Sequence, residues 1–166
     1  GLLLKKELVY LRESLDFPKS PFVSILGGSK ISDKLKVVRN LLQKSDRVLI
    51  GGAMAYTFLA AKGLSVGNSL VDINYMNEAR GLLEEAGARI LLPIDHICAE
   101  NFDSKVGCLK SEIPKSMIGL DIGTKTISKF IEVLSSASTI VWNGPMGKCE
   151  DYPFDNGTNK IADAVA

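Results

Sequence analysis

Residues 22–43 read FVSILGGSKISDKLKVVRNLLQ, and the fold turns on how this stretch is parsed. Phe22-Val23-Ser24-Ile25-Leu26 is apolar at four of its five positions, too short for a helix, and stops at Gly27-Gly28. Beyond the glycines, Leu35, Val38, Leu41 and Leu42 fall on one helical face, while the lysines fall on the other. A buried strand, a glycine turn and an amphipathic helix thus follow one another without a spacer. The unit recurs along the chain. RVLIGG (47–52) is a second apolar strand ending in a glycine pair, and the small-residue helix AMAYTFLAAKG (53–63) follows it and closes at Gly63. A helix over 72–86, a third strand in ARILLP (88–93), a helix in TKTISKFIEVLSSA (124–137), a last strand in STIVWNG (138–144) and a helix starting near Asp155 complete the pattern. Strands that are apolar throughout are covered on both faces, so the expected fold is α/β: a three-layer, Rossmann-like parallel sheet with helices on both faces.

Three regions carry weaker signals. Residues 2–15, LLLKKELVYLRESL, put Leu4, Leu8, Leu11 and Leu15 on one stripe and predict a helix, broken by the prolines of DFPKSP. IDHICAENF (94–102) reads as extended, and 103–119 lacks periodicity and suits a short hairpin or a loop. GLDIG (119–123) reads as a loop joining elements. The chain opens at Gly1 and stops at Ala166 within an amphipathic helical pattern that has no stop signal, as expected of a piece of a longer polypeptide.

The composition excludes several classes. Hydrophobic residues are 46% and charged residues 23%, which is a globular balance. Net charge is +1 with no basic run, so a nucleic-acid surface is not expected. No apolar run is long enough to span a bilayer, and the N-terminal order of leucines before lysines is not that of a secretory signal. Cys98, Cys108 and Cys149 are odd in number and scattered, which favours reduced thiols in a cytoplasmic protein over disulfides or zinc. His96 is the single histidine, so a His-rich metal site is excluded.

In parallel α/β sheets, ligands bind beyond the carboxyl ends of the strands. Three strands here end there in glycine, at ILGG, LIGG and VWNG, each ahead of a helix whose N-terminal amides attract anions. This points to phosphate or nucleotide. Neither G-x-G-x-x-G nor the P-loop G-x-x-x-x-G-K-[ST] is present. Lys30 and Lys34 lie four residues apart, on one face if the helix begins near Ser29. A lysine beside a helix N-terminus opposes the helix dipole, a local cost that makes sense if an anion binds. In WNGPMGKCE (142–150), Pro145 fixes the loop, Asn143 offers an amide at the sheet edge, and Glu150 could accept from ribose hydroxyls. The bland alternatives are solvated lysines, turn residues, a surface glutamate and a core Trp142.

ILGGSKISDK, LIGGAMAYTFL, GLDIGTKTI and VWNGPMGKCE, in this order and spacing, resemble the phosphoglycerate kinase family, over essentially the whole chain. The resemblance is to most of the C-terminal, nucleotide-binding domain of that two-domain enzyme. It implies phosphoryl transfer between 1,3-bisphosphoglycerate and MgADP, giving 3-phosphoglycerate and MgATP. Lys30 resembles the lysine that follows the transferring phosphoryl group, and Lys34 the one that holds nucleotide phosphates. Gly28 and Ser29 occupy backbone contacts to the nucleotide. Gly52 and Ala53 match a turn flanking the adenine, with Ala53 in place of a third glycine. Phe102, Gly119 and Leu120 resemble adenine-pocket residues, Asn143 and Pro145 the loop beside phosphates and ribose, and Glu150 the ribose-binding acid. Cys149 stands where many members carry an aromatic residue.

The resemblance also implies parts outside this chain. An N-terminal domain with a basic patch would bind 3-phosphoglycerate, and a later glycine-rich loop would supply the aspartate that holds Mg2+. The only arginines here are Arg12, Arg39, Arg47, Arg80 and Arg89. The expectation is therefore a monomeric, cytoplasmic parent enzyme with ADP or ATP and Mg2+ as ligands and no nucleic-acid or membrane partner. The isolated piece is expected to bind nucleotide without turnover. The alternatives are a stand-alone nucleotide-binding module and, disfavoured by the missing dinucleotide fingerprint, a nicotinamide-dependent dehydrogenase.

Overall fold

The computed structural model describes residues 7–9 and 18–166. Its centre is a five-stranded sheet made of β1 (Glu7–Val9), β2 (Phe22–Leu26), β3 (Arg47–Ile50), β4 (Ile90–Leu91) and, late in the chain, the strand Thr139–Asn143. The order places Thr139–Asn143 between β1 and β2, with β3 and β4 following on the other side of β2, and every pairing is parallel. The alternation of side chains along the strands explains why they read as continuously apolar. Phe22, Leu26, Val48, Ile50 and Val141 pack under three helices, α1 (Ile31–Leu42), α2 (Met54–Ala61) and α3 (Met76–Ala86). Val23, Ile25, Leu49 and Ile140 pack on the opposite face under α4 (Thr124–Ser135) and α5 (Asn156–Val165). The three-layer expectation holds, with Leu35, Val38, Leu41 and Leu42 of α1 all buried. Trp142, expected in the core, is half-buried; it packs against the layer of α4 and α5, and its indole N–H donates to Gly144 O at 2.7 Å.

A second sheet was not anticipated. β5 (His96–Ala99), β6 (Cys108–Lys110) and β7 (Ile118–Ile122) form a three-stranded antiparallel sheet with β5 in the middle. The late strand of the parallel sheet is β8 (Thr139–Asn143). No hairpin lies within 103–119 among the described residues; β6 instead pairs back onto β5, Cys98 with Cys108 and His96 with Lys110. GLDIG, read as a loop, lies largely in β7, where Gly119, Leu120, Asp121 and Ile122 are all buried. Its glycines misled the reading: Gly119 fits a strand because Tyr56 lies where its Cβ would be.

The helix expected over 2–15 is corrected where it can be checked. Glu7–Val9 is extended and pairs with Thr139–Val141, which satisfies the outer edge of β8. The rest of that stretch lies outside the described residues. Among the described residues, no helix is long and apolar enough to cross a membrane, and all three cysteines are free.

Candidate nucleotide site

The three glycine-ended strands are neighbours, β8-β2-β3, so their turns meet at one edge. Gly27 N donates to Asn143 O at 2.9 Å, Gly28 N to Pro145 O at 3.0 Å, Gly52 N to Met146 O at 3.0 Å and Met54 N to Gly28 O at 2.9 Å. The loops therefore pack backbone against backbone. A Cβ on Gly27 would run into the Pro145 carbonyl, one on Gly52 into Gly28, and one on Gly144 into Gly27. This corrects a simple reading of the glycine pairs. The amides of Gly27, Gly28 and Gly52 are used inside the protein, so they do not face a phosphate. Gly28 is required by its backbone, at φ 106°, and space lies open around it apart from the Lys34 side chain.

What this packing leaves free is the start of α1. Lys30 is the extended N-cap residue, and its side chain caps nothing, so among the described residues the first-turn amides of α1 have no side-chain cap. Because the helix begins at Ile31, Lys30 and Lys34 do not share a helical face as expected; Lys30 extends from the turn ahead of it. Lys30 and Ser29 are exposed, and Lys34 is half-buried. Partial burial pulls the Lys34 ammonium below the ordinary lysine range, opposed by the charge of Asp33. Among the described residues neither Lys30 nor Lys34 has a carboxylate partner. Two unpaired cations beside uncapped helix amides suit a multiply charged anion.

Next to this edge is a cavity of about 800 Å³. Gly28, Ser29, Gly52, Ala53, Pro145 and Glu150 line it from the parallel sheet's side, and Phe102, Gly119 and Leu120 from the side of the second sheet. Nine of the twelve expected binding residues thus converge. Lys30, Lys34 and Asn143 stand outside the lining, Asn143 as the last residue of β8 with its carbonyl committed to Gly27.

Wall residues missing from the sequence reading include Tyr56, Leu70, Ile118 and Lys148. Tyr56 stands in the first turn of α2 after Gly51-Gly52 and was visible in LIGGAMAY. Lys148 was visible in NGPMGK. Leu70 and Ile118 had no signal, since they reach the cavity only through the second sheet and its neighbouring loop.

Asp121 lies against Gly147 of the 144–155 loop and ties down the start of α5, where that loop ends. Its carboxylate accepts from Ile122 N and, at the start of α5, from Gly157 N, both at 2.8 Å. Burial raises its pKa to about 7, against those two hydrogen bonds. Gly147 and Gly157 are glycines because a Cβ on either would meet this carboxylate.

Comparison with known proteins decides the family. The model of the phosphoglycerate kinase family matches residues 1–166. The chain belongs to the phosphoglycerate kinase family. It is 51% identical over 168 residues to the phosphoglycerate kinase of Lactobacillus helveticus and 49% identical over 171 residues to that of Rhodopirellula baltica. These alignments cover all of this chain but 42% and 43% of the relatives, so the chain spans about two-fifths of their length. Phosphoglycerate kinase from Coxiella burnetii superposes with a TM-score of 0.87 at 35% identity, covering 91% of this chain and 40% of that one. The Pyrococcus horikoshii enzyme gives 0.79 at 34%, covering 89% and 40%. Membership in the phosphoglycerate kinase family agrees with the motifs that carried the resemblance, and it sets the kind of chemistry against which the cavity is read.

Proposed function

We propose that this chain is the nucleotide-binding part of a phosphoglycerate kinase, a cytoplasmic glycolytic enzyme that passes a phosphoryl group between 1,3-bisphosphoglycerate and MgADP. The observation that carries the reading is the joining of two unlike surfaces. An edge with uncapped helix amides and unpaired lysines, suited to phosphates, opens onto a cavity walled by Tyr56, Phe102 and Leu120, suited to a flat base. The lining residue Glu150 lies on the same loop as Pro145, where a carboxylate can accept from ribose hydroxyls.

Phosphoryl transfer asks mainly for positioning and charge stabilisation. The amides of α1 and Lys34 hold the nucleotide phosphates. Lys30, on its extended N-cap, follows the moving phosphoryl group and offsets the charge that develops on it. These donors at the phosphate end fit phosphate oxygens and not a bare cation, so Mg2+ comes as part of the nucleotide ligand, where it neutralises phosphate charge. Residues of a second domain supply the site for 3-phosphoglycerate. Among the described residues no arginine lines the cavity, and Arg47, Arg80 and Arg89 donate to backbone carbonyls elsewhere. The 166-residue chain by itself therefore binds nucleotide without turnover.

Titration calorimetry of MgADP into the chain tests the reading. Binding that Lys34→Ala weakens by about tenfold is expected for a charge-assisted phosphate contact. A folded chain that takes up no MgADP, or whose affinity ignores Lys34, refutes it.

A further inference from the structure

The cavity has a fastening that the phosphate chemistry does not require. The 101–105 loop carries Phe102, which is 58% exposed and forms one wall of the cavity. The loop is preformed by its own bonds: Asp103 N donates to Asn101 Oδ1 at 3.0 Å, and Ser104 Oγ donates to the same oxygen at 3.3 Å. It reaches the opposite wall through Lys148. The Lys148 ammonium donates to Phe102 O at 2.6 Å, lies 4.0 Å from the centre of the Phe102 ring, and pairs with Asp151 at 2.7 Å. Lys105 reaches the same carboxylate at 3.8 Å. Among the described residues, the hydrogen bonds and ion pairs joining the two loops all run through Lys148 or Asp151.

Fixing a long lysine side chain costs rotamer entropy, so most surface lysines stay loose. This one is fixed, with its side chain only 9% exposed, and it too lines the cavity. The hydrogen bond to a carbonyl, the ring face and the carboxylate use the ammonium's three directions, while its methylene stem adds to the cavity wall. We infer that Lys148 is a latch: it fastens the Phe102 loop across the aromatic end of the cavity and so sets how long a bound nucleotide stays. The inference rests on the nucleotide reading above and adds to it a positioning residue that never touches the phosphates.

The latch acts on the closed complex. Its loss raises the dissociation rate and leaves encounter at the open phosphate end unchanged. The test is stopped-flow dissociation of N-methylanthraniloyl-ADP with Mg2+, chased with unlabelled MgADP, for the chain and for Lys148→Met and Lys148→Arg. The methionine keeps the stem and removes the charge. Dissociation about tenfold faster is expected, with association within twofold. Arginine, which keeps the cation, the donor and the ring contact, is expected to restore dissociation to within threefold of the parent. If Lys148→Met releases the probe at the parent's rate, the latch is wrong and the nucleotide site stands. If arginine releases it as fast as methionine, the cation is not the fastening and the latch is equally wrong. If the parent chain binds no probe, the nucleotide reading and the latch fall together.

Discussion

The two ends of the cavity are built from different materials. At the glycine end, backbone packs on backbone: Gly27, Gly28 and Gly52 interlock with the 144–146 loop, and the buried Met146 side chain fills the space beside Gly27 and Gly51. At the aromatic end, side chains make the walls, and Tyr56, Phe102, Leu120 and Lys148 come from four separate segments. Backbone packing leaves almost no room for substitution because the main chain cannot rotate out of the way. Side-chain walls can give. The glycine end is therefore expected to be brittle and the aromatic end adjustable, although both serve one cavity.

The hardest test of that contrast is Gly27→Ala. Its Cβ would lie on the Pro145 carbonyl and against the Met146 side chain, at the junction of three strand ends. A loss of about 4 kcal/mol in unfolding free energy is expected, at the upper end for single substitutions. Gly63→Ala is the control. That glycine has a positive φ, 92°, which Gly27 does not, but nothing lies near its Cβ, so only the conformational cost of about 1–2 kcal/mol applies. Chemical denaturation midpoints compare the two directly. Equal losses would mean that close packing adds nothing and that the contrast fails.

Asp121 supports the loop that both ends share, and its effect depends on pH. Its folded pKa, about 7, lies above the ordinary value of 3.8. Between these values the folded state holds a proton that the unfolded state has released, so this group's contribution to stability falls as pH rises through the window. The expected loss between pH 5 and pH 7 is about 2 kcal/mol. Urea unfolding at both pH values, compared with Asp121→Asn, isolates it, since the amide cannot titrate. A parent chain whose stability difference between the two pH values matches that of Asp121→Asn would contradict the burial argument.

How much could be read from sequence follows the same division. The parallel sheet was legible because each of its central strands is an apolar run punctuated by glycine, and α1 because Leu35, Val38, Leu41 and Leu42 keep helical spacing. The three glycine-ended strands were therefore found to share one edge, although the reason for their glycines was not read. Their interlocking depends on β8 lying beside β2, and no local pattern reports that strands so far apart in sequence are neighbours. The second sheet was poorly legible. β6 is only Cys108–Lys110 with a largely exposed pattern, and β7 contains Gly119 and the buried Asp121, both of which read locally as turn residues. Lys148 was passed over for a related reason: its role exists only once Phe102 is brought across the cavity. The start of α1 at Ile31, which removes Lys30 from the helical face, lay within the ordinary uncertainty of a boundary without a strong cap residue.

The mildest effect is expected at Gly119, and it sharpens the contrast most directly because a glycine is again the probe. The obstacle to a Cβ there is the Tyr56 ring and hydroxyl, a side chain, where at Gly27 it is a carbonyl of the main chain. Tyr56 is buried, and burial keeps its hydroxyl protonated, so no charge is at stake in moving or removing it. Gly119→Ala is expected to cost about 1 kcal/mol as Tyr56 shifts toward His96, whose ring centre is 5.9 Å away, and to weaken nucleotide binding by a small factor through the displaced wall. Adding Tyr56→Phe removes the oxygen nearest the new methyl group but leaves two ring carbons at 2.6 and 2.8 Å, so it should recover part of that loss. The measurement is a double-mutant cycle in unfolding free energy, in which the two substitutions together cost less than the sum of the singles. Additive costs would mean that the methyl group is accommodated by moving β7 itself, and the aromatic end would then be as unyielding as the glycine end.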